Sequence, residues 1–130
     1  VPDIAPFVRA AQEAGANAGS LINTMPAMAI DIERRRPVLA NTTGGLSGRG
    51  IHPVAVKLVW DAAKVATVPI LAMGGIFEPA DAIEFLLAGA TAIAVGTATF
   101  IDPSTSLRVI DGIAAYMAKH GIPSIGAMKI

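Results

Sequence analysis

The residues of this chain that could meet a ligand stand at the ends of its apolar runs. Leu21-Ile22 leads into Asn23-Thr24, the run from Pro69 to Met73 is closed by Gly74-Gly75, and the run from Ala92 to Val95 ends at Gly96-Thr97. An asparagine carboxamide carries a donor and an acceptor together, which matches the paired C=O and N–H edge of a cyclic imide or pyrimidine. The same side chain could equally cap the turn after its strand, and spacing does not choose between the two. Gly74-Gly75 and Gly96 leave bare backbone, and amides uncovered by side chains beside a helix N-terminus seat a phosphate. A single pair would be explained by a tight turn; two pairs on neighbouring strands point to an anion site. A further stretch, Asn41-Thr42-Thr43-Gly44-Gly45-Leu46-Ser47-Gly48, runs into a helix and has the composition of a cofactor cradle or of a flexible loop.

Acids and bases are missing from these ends. His52 precedes Pro53 and is placed to cap a helix, while His120 falls in a last helical turn, where a cation suits the dipole. Lys57, Lys64, Lys119 and Lys129 lie on helices or in the tail. The sequence shows no Ser/His/Asp order and no cluster of metal ligands. Asparagine, threonine and backbone amides bind and orient, but they do not take protons at neutral pH. The chain reads as a binding surface that lacks its own base.

The elements that must position this surface follow from periodicity. Asp3 can cap a helix with Ile4, Phe7, Val8 and Ala11 on one face, and Gly15 ends it. Ala18 to Ile22 is a strand. Met25 to Gly50 is a long connection in which Met28–Ile32 pairs with Val38–Ala40 across Glu33–Arg36 as a hairpin, and connections this long usually carry function. Pro53 opens a helix with Leu58, Ala62 and Val65 on one stripe. Pro79 opens another, carrying Ile83, Leu86 and Leu87 and stopped by Gly89. Asp102-Pro103 starts the last, with Leu107, Ile110, Ala114 and Met117 on one face and Gly121 and Pro123 at its end. The segments Ala14-Gly15-Ala16-Asn17-Ala18 and Ala88-Gly89-Ala90-Thr91-Ala92 repeat one helix-to-strand join, as barrels do.

The order is αβαβαβα, with three strands and four helices. Strands of consecutive βαβ units lie parallel, so both glycine turns emerge at one edge of the sheet. An eight-stranded (β/α)8 barrel takes about 250 residues. At 130 residues, this chain is one partial domain, roughly half such a barrel or a small open sheet. Its opening at Val1-Pro2-Asp3 on a helix suggests an upstream half that is missing.

Composition bounds the partners. A 53% hydrophobic and 15% charged chain is a buried α/β protein, not a disordered one. Ten basic residues against ten acidic ones leave no excess to neutralise a nucleic-acid backbone. Arg34-Arg35-Arg36 adjoins Asp31 and Glu33 and reads as a solvated turn. Without cysteine there is no disulfide and no thiolate ligand or nucleophile. No apolar run approaches the roughly 20 residues of a membrane span, and Asp3 and Pro6 break any signal peptide, so the expectation is cytoplasmic.

Taken together, Leu21-Ile22-Asn23-Thr24, Ala29-Ile30-Asp31-Ile32, Arg36-Pro37-Val38-Leu39-Ala40-Asn41, Thr43-Gly44-Gly45-Leu46-Ser47-Gly48, Met73-Gly74-Gly75 and Val95-Gly96-Thr97-Ala98 resemble the C-terminal half of dihydroorotate dehydrogenases, the class 1B catalytic subunits most closely. The resemblance runs from Val1 to about Met128. It implies the C-terminal half of a TIM barrel that holds FMN at its strand ends and oxidises dihydroorotate to orotate in pyrimidine biosynthesis. It implies Ile22, Gly48, Gly74, Gly75, Gly96 and Thr97 as FMN contacts, and Asn23 and Thr24 as substrate contacts. The family's flavin-contacting lysine and its Cys or Ser base would lie upstream of Val1, so the segment alone is expected to be inactive. An iron–sulfur flavoprotein subunit that passes electrons to NAD is implied as a partner.

Other readings are a dihydropyrimidine dehydrogenase-like flavin domain, a non-redox phosphate-binding barrel piece such as part of a sugar-phosphate isomerase, and a self-associating scaffold. The AIDIERRRPVLAN hairpin favours the first assignment. Unpaired strand edges would favour a homo-oligomer or union with the missing half.

Overall fold

The computed structural model describes residues 3–130, so the Val1-Pro2 lead-in lies outside the described residues. Helix α1 (Ala5–Glu13) begins where the Asp3 carboxylate accepts the Ala5 N–H at 3.0 Å, with Pro6 inside its first turn. Strand β1 (Gly19–Leu21) follows. The long connection then makes β2 (Met25–Ala27), β3 (Ile30–Asp31), β4 (Arg36–Pro37) and β5 (Gly44–Leu46). After a 3₁₀ turn at Arg49–Ile51 come α2 (His52–Ala63), β6 (Ile70–Met73), α3 (Pro79–Leu87), β7 (Ala92–Ala94), α4 (Thr97–Ile101) and α5 (Thr105–His120).

The three strands β1, β6 and β7 form one parallel sheet in the order β1-β6-β7, in register at Leu21↔Ala72 and Ala72↔Ile93. The helix-to-strand repeat is real at the level of hydrogen bonds. Ala16 N–H bonds Ala11 C=O and Ala90 N–H bonds Phe85 C=O, each at 3.0 Å, over Gly15 and Gly89 at φ of 93° and 110°. Such left-handed glycines end a helix cheaply and turn the chain back into the sheet.

The core is where α2, α3 and α5 cover β6. Ala55, Val59, Ala62, Ile70, Ala72, Ala82, Phe85, Leu86, Val109 and Met128 are buried there. A sector of a (β/α)8 barrel has this layout, with small and branched side chains between the strands and an outer helical layer. Among the described residues the outer edges of β1 and β7 are unpaired, and Phe100, Ile101, Leu107 and Ile110 are exposed.

Several local expectations are corrected. In α5 the buried face is Thr105, Val109 and Ile113, not Leu107 and Ile110, although both sets have helical spacing. The deciding residue is Gly112, where an added Cβ would collide with the Pro79 ring at the start of α3. A glycine lets two helix backbones approach, so its face packs. In α2 the stripe shifts to Ala55, Val59, Ala62 and Ala63, and Leu58 is only half-buried. Between Gly96 and Pro103 stands the short helix α4 and not a simple turn; the last helix begins at Thr105.

The connection also differs. The hairpin exists, but its strands are Ile30–Asp31 and Arg36–Pro37; Val38 adds one bond to Ala29 C=O at 2.9 Å, and Leu39–Ala40 is not strand. The glycine stretch expected to be a loop is partly strand β5, antiparallel to β2 with Met25↔Leu46. Gly45 must be glycine there because the Thr24 side chain fills the place of its Cβ.

Candidate functional site

The C-terminal ends of the three parallel strands, together with the loop before α2, enclose a cleft of about 200 Å³. All eight residues singled out in the sequence lie on its wall: Ile22, Asn23, Thr24, Gly48, Gly74, Gly75, Gly96 and Thr97. Parallel strands end on the same side, so one strand turn each from β1, β6 and β7 must converge. Ser47, Ile51, Met73, Ile76, Phe77, Ala94 and Val95 complete the wall and had not been singled out. A signal was available for four of them, since Ser47, Met73, Ile76 and Val95 each adjoin a marked glycine.

Each strand tip is held in a different way. At β1, whose Leu21–Ile22 peptide is cis, the Ile22 N–H bonds Met73 C=O at 3.1 Å. Asn23 Oδ1 accepts the Thr24 N–H at 2.8 Å, so the carbonyl end of this carboxamide caps its own turn. Its Nδ2 has no partner among the described residues, which leaves two donors for a ligand acceptor. At β7 the Thr97 hydroxyl donates to Ser47 Oγ at 2.9 Å and ties the glycine-rich loop to the strand end.

The helix termini divide the anion-binding capacity unevenly. The first amides before α3 are already satisfied, because Asp81 Oδ2 accepts from Phe77 N–H at 2.8 Å and Glu78 N–H at 2.9 Å in a capping box. The α3 N-terminus therefore carries its own carboxylate, which takes up the Phe77 and Glu78 amides. Capacity remains in the Gly74-Gly75 turn itself and at Gly96-Thr97.

Glycine at these tips is not explained by one cause. At Gly74 an added Cβ would stand 2.9 Å from the Ala55 methyl, and at Gly75 2.7 Å from His52 Cβ, with φ of 133° and 69°. Internal packing and backbone conformation both demand glycine there. Gly96 differs in its packing: its chain neighbours aside, no atom lies within 4 Å of a Cβ built on it. A side chain is absent from a cleft wall where the chain's own packing leaves room for one.

The rim is braced by charge. Arg49 lies 4.6 Å over the Phe77 ring and pairs with Glu78 at 2.9 Å, while Arg108 Nη2 donates to Phe77 C=O at 3.3 Å. Arg108 in turn pairs with Asp102. Hydrogen bonds from the Ser104 hydroxyl at 2.6 Å and the Ser104 N–H at 2.9 Å, then the Arg108 guanidinium, hold the Asp102 carboxyl below its usual value of 3.8. A depressed folded value means stability that is complete above the ordinary value and is lost as pH falls through the lowered one. Melting curves of wild type and Asp102→Asn should thus be separated at pH 7 and converge toward pH 2. The gap should be small, because the carboxylate is exposed to solvent. A constant gap across that range would show that the charge of Asp102 does not contribute.

A cleft at the C-terminal ends of parallel strands, with helices outside, marks the chain as a sector of an α/β barrel. A model of the dihydroorotate dehydrogenase family matches residues 1–117, and the chain belongs to that family. It is 50% identical over 134 residues to the protein named dihydroorotate dehydrogenase B (NAD(+)), catalytic subunit, of Bacteroides fragilis, covering 100% of this chain and 44% of that protein. The protein of the same name from Porphyromonas gingivalis is 54% identical over 125 residues, covering 96% of this chain and 41% of its own length. The chain therefore spans less than half the length of these curated relatives. Among solved structures, dihydroorotate dehydrogenase of Eimeria tenella in complex with ferulenol superposes with a TM-score of 0.73 at 30% identity, over 94% of this chain and 32% of that one.

Proposed function

We propose that this chain is the C-terminal section of an FMN-dependent dihydroorotate dehydrogenase, which oxidises dihydroorotate to orotate in the cytoplasmic synthesis of pyrimidines. The observation that carries this reading is the convergence of Asn23, Gly74-Gly75 and Gly96-Thr97 on one cleft at three adjacent strand ends. The donor set fits the group: bare glycine turns for a phosphate, apolar Ile22, Met73 and Val95 for a ring system, and a carboxamide with free donors for a substrate carbonyl. Bound FMN would supply the hydride acceptor. The chain's own part is to hold the flavin phosphate at the β6 and β7 turns, to orient the substrate through Asn23 and Thr24, and to exclude water with Ile22 and Phe77.

The cleft of about 200 Å³ is smaller than the roughly 300–1,000 Å³ usual for such ligands, so further wall is assigned to groups outside this chain, beyond the unpaired edges of β1 and β7. None of the side chains on its wall is a carboxylate, imidazole or amine. Removal of the substrate proton is therefore assigned to a base outside this chain, and the isolated chain should show no turnover. Adding the upstream half as a separate polypeptide should restore orotate formation, followed by absorbance; turnover without it would refute the assignment. In the full protein, electrons would leave through a separate iron–sulfur flavoprotein subunit to NAD, in keeping with the names of the bacterial relatives. Self-association through the open sheet edges belongs to the same proposal.

A yellow protein with a flavin absorbance band would separate this reading from that of a non-redox phosphate-binding barrel. No observation on the site favours the dihydropyrimidine dehydrogenase-like alternative.

A further inference from the structure

We propose that His52 is a positioning residue that sets the direction of the Gly74–Gly75 peptide and so aims the Gly75 N–H at the ligand phosphate. This rests on the flavin reading above and names a device within that site. His52 is the first residue of α2, and its side chain is only 12% exposed. Its Nδ1 stands 2.9 Å from Gly74 C=O. A carbonyl oxygen only accepts, so Nδ1 carries the proton and donates. Phe85 meets the ring edge-on with centroids 5.0 Å apart, and Glu84 Oε2 lies 3.2 Å from Nε2, a tether that forms when that nitrogen carries a proton as well.

The reason for such a clamp lies in the two glycines. A peptide between adjacent glycines can rotate at little steric cost, because neither flanking residue has a Cβ to restrict it. Gly74 and Gly75 both sit at positive φ, and the peptide joining them is trans. In a planar trans peptide the C=O and the following N–H point in opposite directions. Holding Gly74 C=O toward α2 therefore turns Gly75 N–H away from α2, toward the cleft that both glycines line. The close seating of Gly75, whose Cβ would stand 2.7 Å from His52 Cβ and 2.8 Å from Gly48 C=O, leaves the turn no room to shift as a whole. What remains free is the peptide's rotation, and His52 is the group that stops it. Because Asp81 already occupies the amides before α3, the Gly75 N–H is a donor that the phosphate would otherwise lose.

The test uses a full-length protein carrying this sequence, titrated with FMN and separately with riboflavin, which lacks the phosphate. His52→Phe keeps a ring against Phe85 and removes the donor; His52→Asn restores an N–H at the position of Nδ1. His52→Phe should weaken FMN about tenfold and riboflavin less than about twofold, while His52→Asn should stay within about twofold of wild type for both. The ³¹P resonance of bound FMN should shift in His52→Phe and return in His52→Asn. An unchanged FMN-to-riboflavin preference in a folded His52→Phe protein would overturn the proposal. Should that variant fail to fold, Glu84→Ala decides: its carboxylate is 59% exposed, and losing the ring's outer tether should lower the same preference about threefold. An unaltered preference there would equally overturn it. Wild type that binds no flavin would remove the functional reading itself, whereas wild type that prefers FMN beside unaffected variants would remove only the role of His52.

Discussion

Gly96→Leu in the full-length protein is expected to weaken FMN binding by about 30-fold or more, equivalent to roughly 2 kcal/mol, and to lower the melting temperature less than Gly75→Leu does. Packing should tolerate the new side chain because, its chain neighbours aside, no atom lies within 4 Å of the new Cβ. Binding should suffer because that space is the wall of the cleft beside Thr97 and Val95. Titration by quenching of flavin fluorescence, beside a thermal melt, gives both readouts. The contrast with Gly75→Leu sharpens the test. There a Cβ would stand 2.7 Å from His52 Cβ at φ of 69°, so stability and binding should fall together. Full FMN affinity in Gly96→Leu would show that the ligand does not approach the β7 turn.

The largest effect on stability should come from Phe85→Ala, at about 3–5 kcal/mol. Phe85 is wholly buried on α3 and belongs to the core under β6. Small domains are stable by only about 5–15 kcal/mol, so this loss takes a large part of the margin. Its neighbourhood is rich in alanine, with Ala55, Ala62, Ala72 and Ala82 all at 0% exposure. Close-packed alanines have no side chain to swing into a void, which puts the expected cost toward the upper end. Because the Phe85 ring also meets the edge of His52, FMN affinity should fall in the fraction that stays folded. Urea unfolding of the two proteins measures the first effect. A loss under about 1.5 kcal/mol would mean that the core closes over the gap.

Which parts of this molecule could be read in advance depends on how local the determining physics is. The parallel strands, their glycine turns and the three longer helices after β1 follow from short-range signals: apolar runs of four or five residues, a proline in the first helical turn, a glycine at positive φ past the last. Pro79 and Gly89 bracket α3 for that reason. Seven of the eight marked positions share one wall because parallel topology carries strand ends to one side whatever the side chains are; Gly48 comes there on the loop before α2.

Choices between equivalent local patterns were not legible. Two stripes of α5 both had helical spacing, and the contact of Gly112 with Pro79 selected Val109 and Ile113 over Leu107 and Ile110. The pairing of β5 with β2 needed Thr24 against Gly45, twenty-one residues apart in sequence. His52 was read as a cap because its partners, Gly74 and Glu84, stand 22 and 32 residues away.

The sequence by itself determined the alternation of strands and helices, the placing of bare glycine turns at strand ends, and the absence of a base among the residues that meet there. These depend on neighbours within a few positions along the chain. Only the tertiary structure decided which helix faces are buried and that His52 grips the Gly74 carbonyl. Those depend on which distant groups share a small volume, and a one-dimensional pattern does not record volume.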